Sequence, residues 1–223
     1  MDAAMLPDDF LHGYGFDILK GVGLTIQLFL IVVLITTPVA FVIASIRYTR
    51  MKYIHPIVTL YVWIFRAVPG LLVLYFTFYG LPNLGISLEP FSAAVLGMCI
   101  TTAAYMSEDF RAGLVSVGQG QWHAARSLGF TDTYTLRRIV LPQAAPVFIP
   151  PYMTQLIITV KTTAVASLVG VSELTGTTMS AISLTYSALD FLITAAIVYL
   201  VMTGVIAASQ ALLEAAIRKR YRK

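Results

Sequence analysis

The sequence has few charged residues and a single cysteine, and both shortages restrict what the protein can be. Asp, Glu, Lys and Arg make up 12% of its 223 residues, whereas 58% are hydrophobic and the mean hydropathy is +0.81. A soluble domain averages about 25% charged residues, so the main solvent of this chain is a lipid bilayer. Cys99 cannot form an internal disulfide and gives no information about the redox compartment.

Motifs for nucleotide binding, metal binding and catalysis are also missing. The sequence has no phosphate-binding loop of the form G-x-x-x-x-G-K-[ST]. His12, His55 and His123 are scattered without metal-ligand spacing, so we predict no metal site. We assign these histidines to span ends or water-facing loops, which argues against a Ser/His/Asp centre. The chain is therefore predicted not to be an enzyme.

Long apolar segments alternate with short polar ones. A helical span needs about 20 largely apolar residues, and five segments meet this requirement. They are 16–46, 53–79, 91–115, 147–171 and 188–216. We expect an all-α, polytopic membrane protein that is one transmembrane domain over 1–223, with no separate soluble domain and no removable signal peptide. Prolines predict a kink at Pro69-Gly70 and a break of the fourth span at Pro150-Pro151.

Basic residues collect on one side of these spans. Eleven of the fifteen Lys and Arg residues follow the first span, lie in the loop 116–146 or form the tail 217–223. Because Lys and Arg gather in cytoplasmic loops, we predict a cytoplasmic C-terminus and loop, and an outside N-terminus. Charges at membrane boundaries, not on one folded face, argue against nucleic acid as a partner.

The loop 116–146 has the pattern of a helix–glycine–helix hairpin. Ala124 and Ala125 open a short helical run that should stop at Gly129, since glycine readily adopts the positive φ of a C-cap. A polar hairpin between two membrane spans has to face water. Its shape therefore suggests a docking surface.

The second half of the hairpin has its own start and stop signals. Thr131 and Asp132 are good N-caps for a run to Leu141, and Pro142 is expected to close that run.

Read from His123, the order is x-Ala-Ala, three residues, Gly, nine residues, Ile, one residue, Leu-Pro. This order resembles the cytoplasmic EAA loop of bacterial ABC importer permeases, the coupling element that sits in a groove of the ATPase subunit. The sequence departs from that pattern at His123, where the family usually has glutamate. The resemblance assigns ATPase coupling to His123, Ala124, Ala125, Arg126, Gly129, Phe130, Leu141 and Pro142.

Four further segments resemble the permeases for polar amino acids. They read GVGLTIQL, FRAVPGLLVLYF, AAYMSEDFRAGLVSVGQGQ and LPQAAPVFIPPYMTQLIITVKTTAVASLVGVSEL. The resemblance implies the type I ABC importer permease fold and a multi-pass protein of the bacterial cytoplasmic (inner) membrane. The implied function is amino acid import by alternating access.

The same resemblance implies a set of partners. Two ABC ATPase subunits would bind ATP and Mg²⁺, and this chain would hold no cofactor of its own. A second permease, identical or related, would pair with it. An extracytoplasmic amino acid-binding protein would deliver the amino acid near segments 80–90 and 172–187.

Charged residues within the spans are candidates for the substrate path, because a charge at the centre of a span costs about 2.5–3.5 kcal/mol. Lys161 is the strongest candidate, since it lies about 20 Å from the cytoplasmic end of the fourth span. Thr162 and Thr163 follow it and supply hydroxyls. Structural pairing of Lys161 with Asp190 is the alternative.

The other charged candidates also have two interpretations. Arg66 could meet a substrate carboxylate or hold the Pro69 kink through freed carbonyls. Glu108 and Arg111 are i, i+3 on one helix and favour a local pair or a gate over substrate contact. Asp190 suits a helix N-terminus, and it could also attract an ammonium group. The buried cations slightly favour acidic substrates.

Two other functions remain open from the sequence. An ion-coupled secondary amino acid carrier would act without ATPases, although no internal repeat is visible. An intramembrane enzyme could use Glu108 and Asp109, but adjacent helix positions point about 100° apart.

Overall fold

A computed structural model describes residues 13–49 and 51–221. The predictions that concern the N-terminal residues 1–12, Arg50, Arg222 and Lys223 lie outside the described residues. Within those two ranges all the regular secondary structure is helical, and there is no strand. The prediction of an all-α protein is confirmed.

Nine α-helices follow one another along the described chain. They are α1 (Gly15–Thr49), α2 (His55–Ala67), α3 (Gly70–Tyr75), α4 (Pro90–Ser116), α5 (Gln119–Ser127), α6 (Asp132–Thr135), α7 (Leu141–Thr162), α8 (Leu174–Thr185) and α9 (Ala188–Tyr221). Short π-helical and 3-10 turns join some of them. These turns are Phe76–Gly80, Leu81–Leu84, Leu136–Val140 and Thr163–Val169.

Four helical segments of the described chain are long and apolar enough to cross a membrane. They are Gly15–Thr49, Pro90–Ser116, Asp132–Val169 and Ala188–Ile217. A fifth span is formed if His55–Ala67 and Gly70–Leu84 count together. The prediction of five transmembrane segments is therefore consistent with the fold.

The second span bends far more than the predicted kink. The helix axis bends by 106° between its two halves. Val68 has ψ 132° and Pro69 has ψ 131°, so both residues are extended and the helix stops completely. A residue before proline is pushed out of the helical region by the proline ring. The segment folds back on itself at this point.

The core lies between α1, α4 and α7. One cluster of buried side chains near the ends of these helices contains Ala40, Ala44, Met106, Phe110, Leu114, Val117, Val140 and Ala144. Gly113 allows α4 and α7 to approach closely, because a Cβ at this position would lie 3.1 Å from the carbonyl oxygen of Ala144. Small residues at such contacts are typical of helix packing in membranes.

The prediction that Pro142 closes the second helical run of the hairpin is wrong. Asp132–Val169 is one helical segment of 38 residues, and Pro142 lies inside it. A π-helical turn at Leu136–Val140 precedes the proline, and the Leu141 N–H donates to the carbonyl of Leu136. This wider turn accommodates a residue that has no N–H to donate. The helix that carries the predicted span 147–171 is thus longer than that span and includes the second half of the hairpin.

The predicted break at Pro150 and Pro151 is also wrong. Both prolines lie within α7, which continues to Thr162. Each proline removes only one backbone hydrogen bond. In hydrocarbon the remaining carbonyls have no water to bond instead, so the helix keeps its other bonds. The helix narrows to 3-10 geometry later, at Thr163–Val169.

Candidate functional site

The hairpin between α4 and α7 begins with α5. This helix starts at Gln119, five residues before Ala124, and ends at Ser127. Gly129 has φ +80°, its N–H donates to the carbonyl of Arg126 at 2.9 Å, and the Phe130 N–H donates to the carbonyl of Ala125 at 3.1 Å. This is the Schellman end of a helix. The prediction that Gly129 stops the helix is confirmed.

The second half of the hairpin begins at Thr131. The Thr131 hydroxyl accepts a hydrogen bond from the Tyr134 N–H at 3.3 Å, so Thr131 is the N-cap of α6, as predicted. Arg126 and Asp132 then join the two halves through two hydrogen bonds of 3.0 and 3.2 Å. The hydrogen bonds and charge of Asp132 raise the pKa of the Arg126 guanidinium. The bidentate pair links α5 to α6, although both side chains are more than half exposed and such a surface pair contributes only about 0–1 kcal/mol.

The outer face of the hairpin carries exposed apolar and basic groups. Leu128 is 73% exposed, and Phe130 and Tyr134 form an exposed aromatic pair with ring centroids 4.7 Å apart. Arg137 and Arg138 are exposed beside them. Exposed aromatic and arginine side chains are enriched at protein–protein interfaces.

The structure divides the predicted coupling residues into two groups. His123, Ala124, Arg126, Gly129 and Phe130 are exposed on the hairpin. Ala125 is buried, and Leu141 and Pro142 lie half-buried in the helix that enters the bundle. Leu141 and Pro142 therefore lie between the exposed face and the bundle, and Leu141 packs against the buried cluster there.

A cluster of ionic groups lies where α1 and α4 approach the hairpin. Glu108 accepts hydrogen bonds from Arg47 at 2.6 Å and from Arg111 at 2.8 Å. A third arginine, Arg66, has a nitrogen 3.5 Å from the same carboxylate. The predicted i, i+3 pair of Glu108 and Arg111 is confirmed, and the structure adds two arginines that are distant in sequence.

Arg66 does not hold the Pro69 kink in the way the sequence suggested. Its guanidinium lies 5.6 Å from the centre of the Tyr105 ring and close to Glu108. The carbonyl of Arg66, which lies at the end of α2, accepts a hydrogen bond from the Tyr105 hydroxyl at 3.1 Å. Tyr105 therefore supplies a hydrogen-bond donor to one carbonyl at the end of the interrupted helix.

Lys161 lies near the change from α7 to the 3-10 segment. It is exposed, and it forms no ion pair with any residue of the described ranges. The Thr162 and Thr163 hydroxyls donate to the carbonyls of Ile158 and Val160 at 2.8 and 2.7 Å. Asp190 accepts a hydrogen bond from the Ser187 hydroxyl at 2.5 Å. The alternative that Lys161 pairs with Asp190 is wrong.

Glu173 is the residue whose environment the sequence did not indicate. It lies in the polar stretch 172–187 that was expected on the outer face, yet its exposed fraction is 0%. Its carboxylate accepts from the N–H groups of Thr175 and Gly176 at 3.0 and 2.8 Å. It also accepts from the hydroxyls of Tyr199 at 3.0 Å and Thr25 at 3.4 Å.

These bonds make Glu173 the N-cap of α8 and tie that helix to α1 and α9. Burial raises the pKa of Glu173, and the four hydrogen bonds act against that rise. The signal available in the sequence was an acidic residue before a helical run, since a negative charge is favourable near a helix N-terminus. Nothing local indicated that the cap would be buried by two other helices.

Several long apolar helices, with a polar and exposed hairpin between two of them, define a class: a polytopic, all-helical membrane protein. Residues 36–219 match the family described as binding-protein-dependent transport system inner membrane component. The chain belongs to this family. The predicted resemblance to ABC importer permeases is confirmed.

Individual relatives agree with the family. The chain is 30% identical over 207 residues to the probable amino-acid ABC transporter permease protein PatM of Vibrio harveyi, covering 92% of this chain and 93% of that protein. It is 34% identical over 206 residues to the octopine transport system permease protein OccM of Rhizobium meliloti, covering 88% and 84%. A crystal structure of an amino acid ABC transporter with histidines has a TM-score of 0.86 at 29% identity, over 97% of this chain and 100% of that chain.

Proposed function

We propose that this chain is the permease subunit of an ABC importer for polar amino acids in the bacterial inner membrane. In this proposal two ATPase subunits dock on the hairpin 119–142 and drive alternating access. The observation that carries the proposal is the exposed outer face of a hairpin whose second half is continuous with a membrane span.

The hairpin has the mechanical properties that such coupling needs. The Gly129 turn sets the direction of the chain between α5 and α6, and the Arg126–Asp132 pair adds a weaker link across it. The segment Asp132–Val169 has 38 residues, which at 1.5 Å per residue corresponds to about 57 Å. The hydrocarbon core is about 30 Å thick, so this segment extends well beyond it. A movement of the hairpin would be transmitted directly to the fourth span.

The substrate assignment is supported by the relatives and by the exposed polar groups. One relative is named for amino acids and one for octopine. We propose that Lys161 contacts the substrate carboxylate, with the exposed Thr162, Arg66 and Asp190 along the same path. Thr163, which the sequence also placed on this path, is buried, so in this proposal it supports the 3-10 turn beside Lys161. Glu108 and its arginines would form a gate near the hairpin, since three cations can exchange on one carboxylate.

The proposed partners follow from the importer class. The ATPase subunits bind ATP and Mg²⁺, an extracytoplasmic binding protein delivers the amino acid, and a second permease, identical or related, completes the path. Neither an ion-coupled carrier nor an intramembrane enzyme is favoured, because the chain belongs to a family of binding-protein-dependent transport components.

The coupling role is tested by Gly129→Pro in the assembled transporter. Proline fixes φ near −65° and cannot adopt +80°, so the hairpin loses its turn. We expect ATP-driven uptake to fall at least tenfold, with reduced copurification of the ATPase subunits. Gly129→Asn should retain most uptake, because Asn tolerates positive φ.

A matched control is Gly204→Ala, which changes an exposed glycine within α9, away from the hairpin, with no heavy atom near the added Cβ. This variant should transport normally. Normal uptake by Gly129→Pro would remove the coupling role from the hairpin.

The substrate role of Lys161 is tested by Lys161→Ala. We expect uptake to fall at least tenfold while the complex still assembles, because an exposed side chain without an ion pair to any described residue adds little to folding. Lys161→Arg should keep part of the uptake, and Lys52→Ala is the control for loss of an exposed cation elsewhere. Unchanged uptake by Lys161→Ala would show that this lysine is not on the path.

A further inference from the structure

A polar cavity lies beside the hairpin, where three helical segments end. Its volume is about 510 Å³, which is within the usual range for ligand sites. Arg47 from the last turn of α1, His55 from the start of α2 and Arg111 from α4 line it. Tyr48, Thr49, Thr59 and Gln119 complete its polar lining. None of the lining residues in the described ranges is acidic.

Buried polar atoms without a partner concentrate around this cavity. In the described part of the chain, four buried side-chain nitrogen or oxygen atoms have no hydrogen-bond partner: Arg47 Nε, Tyr48 Oη, Thr59 Oγ1 and Trp122 Nε1. The first three belong to residues that line the cavity. The fourth belongs to an indole whose ring centroid lies 6.2 Å from that of Tyr48. Leaving one such group unpaired costs about 1–3 kcal/mol, so a ligand that bonded to these four groups would recover that cost.

The chemistry of the unpaired atoms selects an oxyanion. All four can donate a hydrogen bond. Arg47 and Arg111 each donate to Glu108 through one nitrogen in the described contacts, which leaves further N–H groups on both guanidinium ions. Two arginines outweigh the charge of this one carboxylate. An anion with several acceptor oxygens would satisfy both the charge and the hydroxyl donors.

The position of the cavity favours a phosphate. Arg47, His55 and Gln119 all lie at span ends, on the side where the basic residues of the sequence collect. The phosphate groups of acidic phospholipids lie at this depth in a bilayer, and soluble phosphate reaches the same boundary from the water.

We propose that this cavity binds a phosphate group, supplied by an acidic phospholipid or by soluble phosphate. Its ligands are Arg47, Arg111, Tyr48 and Thr59. A bound phosphate joins the ends of α1, α2 and α4 directly beside α5, and so stabilises one position of the hairpin. This site is separate from the proposed substrate path at Lys161, and it does not depend on the identity of the amino acid.

The experiment uses the full chain, purified in a neutral detergent. Two probes are titrated while the Tm is measured: short-chain phosphatidylglycerol against phosphatidylcholine of the same chain length, and sodium phosphate against sodium chloride at equal ionic strength. A saturable rise in Tm with phosphatidylglycerol alone identifies a lipid as the source. A rise with sodium phosphate as well identifies any accessible phosphate.

The discriminating variant is Tyr48→Phe combined with Thr59→Val. It removes two hydroxyls that have no partner in the described chain while keeping their shape. Without probe, the variant should have a Tm equal to or above that of the wild type. With probe, its apparent Kd should rise about tenfold or more, because hydrogen bonds to charged groups contribute about 1.5–3 kcal/mol each.

The matched control is Tyr53→Phe, which removes a hydroxyl from a tyrosine that is 79% exposed at the same boundary and does not line the cavity. It should bind both probes as the wild type does. The proposal is overturned if neither probe raises the wild-type Tm above its control, or if the double variant binds as tightly as the wild type. Mass spectrometry of the purified wild type gives a readout independent of any variant. A specifically retained acidic phospholipid supports the proposal, and its absence together with no response to phosphate overturns it.

Discussion

Two glutamates, Glu108 and Glu173, are stabilised in opposite ways at the two ends of the helical bundle. Arg47 bonds to Glu108 and Thr25 bonds to Glu173. These two partners are 22 residues apart on α1, which corresponds to about 33 Å. Glu108 is surrounded by three arginines, whereas the bonds that Glu173 accepts come from backbone amides and hydroxyls.

The difference shows which end of the bundle can rearrange. Three arginines around one carboxylate can exchange places without leaving the carboxylate unpaired, and this end adjoins the hairpin. Glu173 accepts bonds of fixed direction from α1, α8 and α9, so any movement of these helices would break a bond in a buried place. We therefore interpret the Glu173 end as the rigid one.

The largest effect is expected from Glu108→Ala. Removing the carboxylate leaves Arg47, whose side chain is part-buried and 13% exposed, as a positive charge without its partner. Breaking a buried ion pair on one side costs about 3–5 kcal/mol. The free energy of unfolding, measured by denaturation in detergent micelles, should fall by this amount.

The control for this variant is Glu89→Ala, which removes an exposed glutamate that makes no capping hydrogen bond. It should change stability by less than about 0.5 kcal/mol. Equal stability of Glu108→Ala and Glu89→Ala would mean that the arginine cluster contributes nothing to the fold.

A somewhat smaller loss is expected from Glu173→Ala, about 2–4 kcal/mol. The variant loses the N-cap of α8 and leaves buried N–H and hydroxyl donors unsatisfied, but it leaves no buried charge. The same denaturation measurement applies. A loss larger than that of Glu108→Ala would reverse the comparison between the two ends.

The smallest effect is a pH dependence at Glu173. Burial raises its pKa, so the folded state favours the protonated carboxyl. The stability that this raised pKa adds to the folded state is fully present below the ordinary carboxyl pKa of about 4.3. It is lost as the pH rises through the raised pKa of the folded state. The stability advantage of the wild type over Glu173→Gln should therefore shrink as the pH rises above about 4.3. Unfolding of both proteins across a pH series checks the sign, and a growing advantage would contradict it.

Local signals in the sequence predicted the hairpin well and the long helix poorly. Gly129 and Thr131 act through their own backbone and their nearest neighbours, so their roles as stop and cap could be read from the sequence. Pro142 and Pro150 looked like breaks by the same local rules. Packing of α7 against α4 and a π-helical turn kept the helix continuous, and neither is visible in a local pattern.

The sequence by itself determined the class of the protein, the approximate positions of the spans and the presence of the hairpin. Hydropathy and capping depend on residues within a few turns of one another, so they can be read along the chain. The tertiary structure decided that Glu108 meets Arg47 across 61 residues and that Glu173 meets Thr25 across 148. It also decided that unpaired polar groups gather beside the hairpin. Contacts of this kind depend on which helix faces pack together, and the pattern of a single chain does not specify that packing.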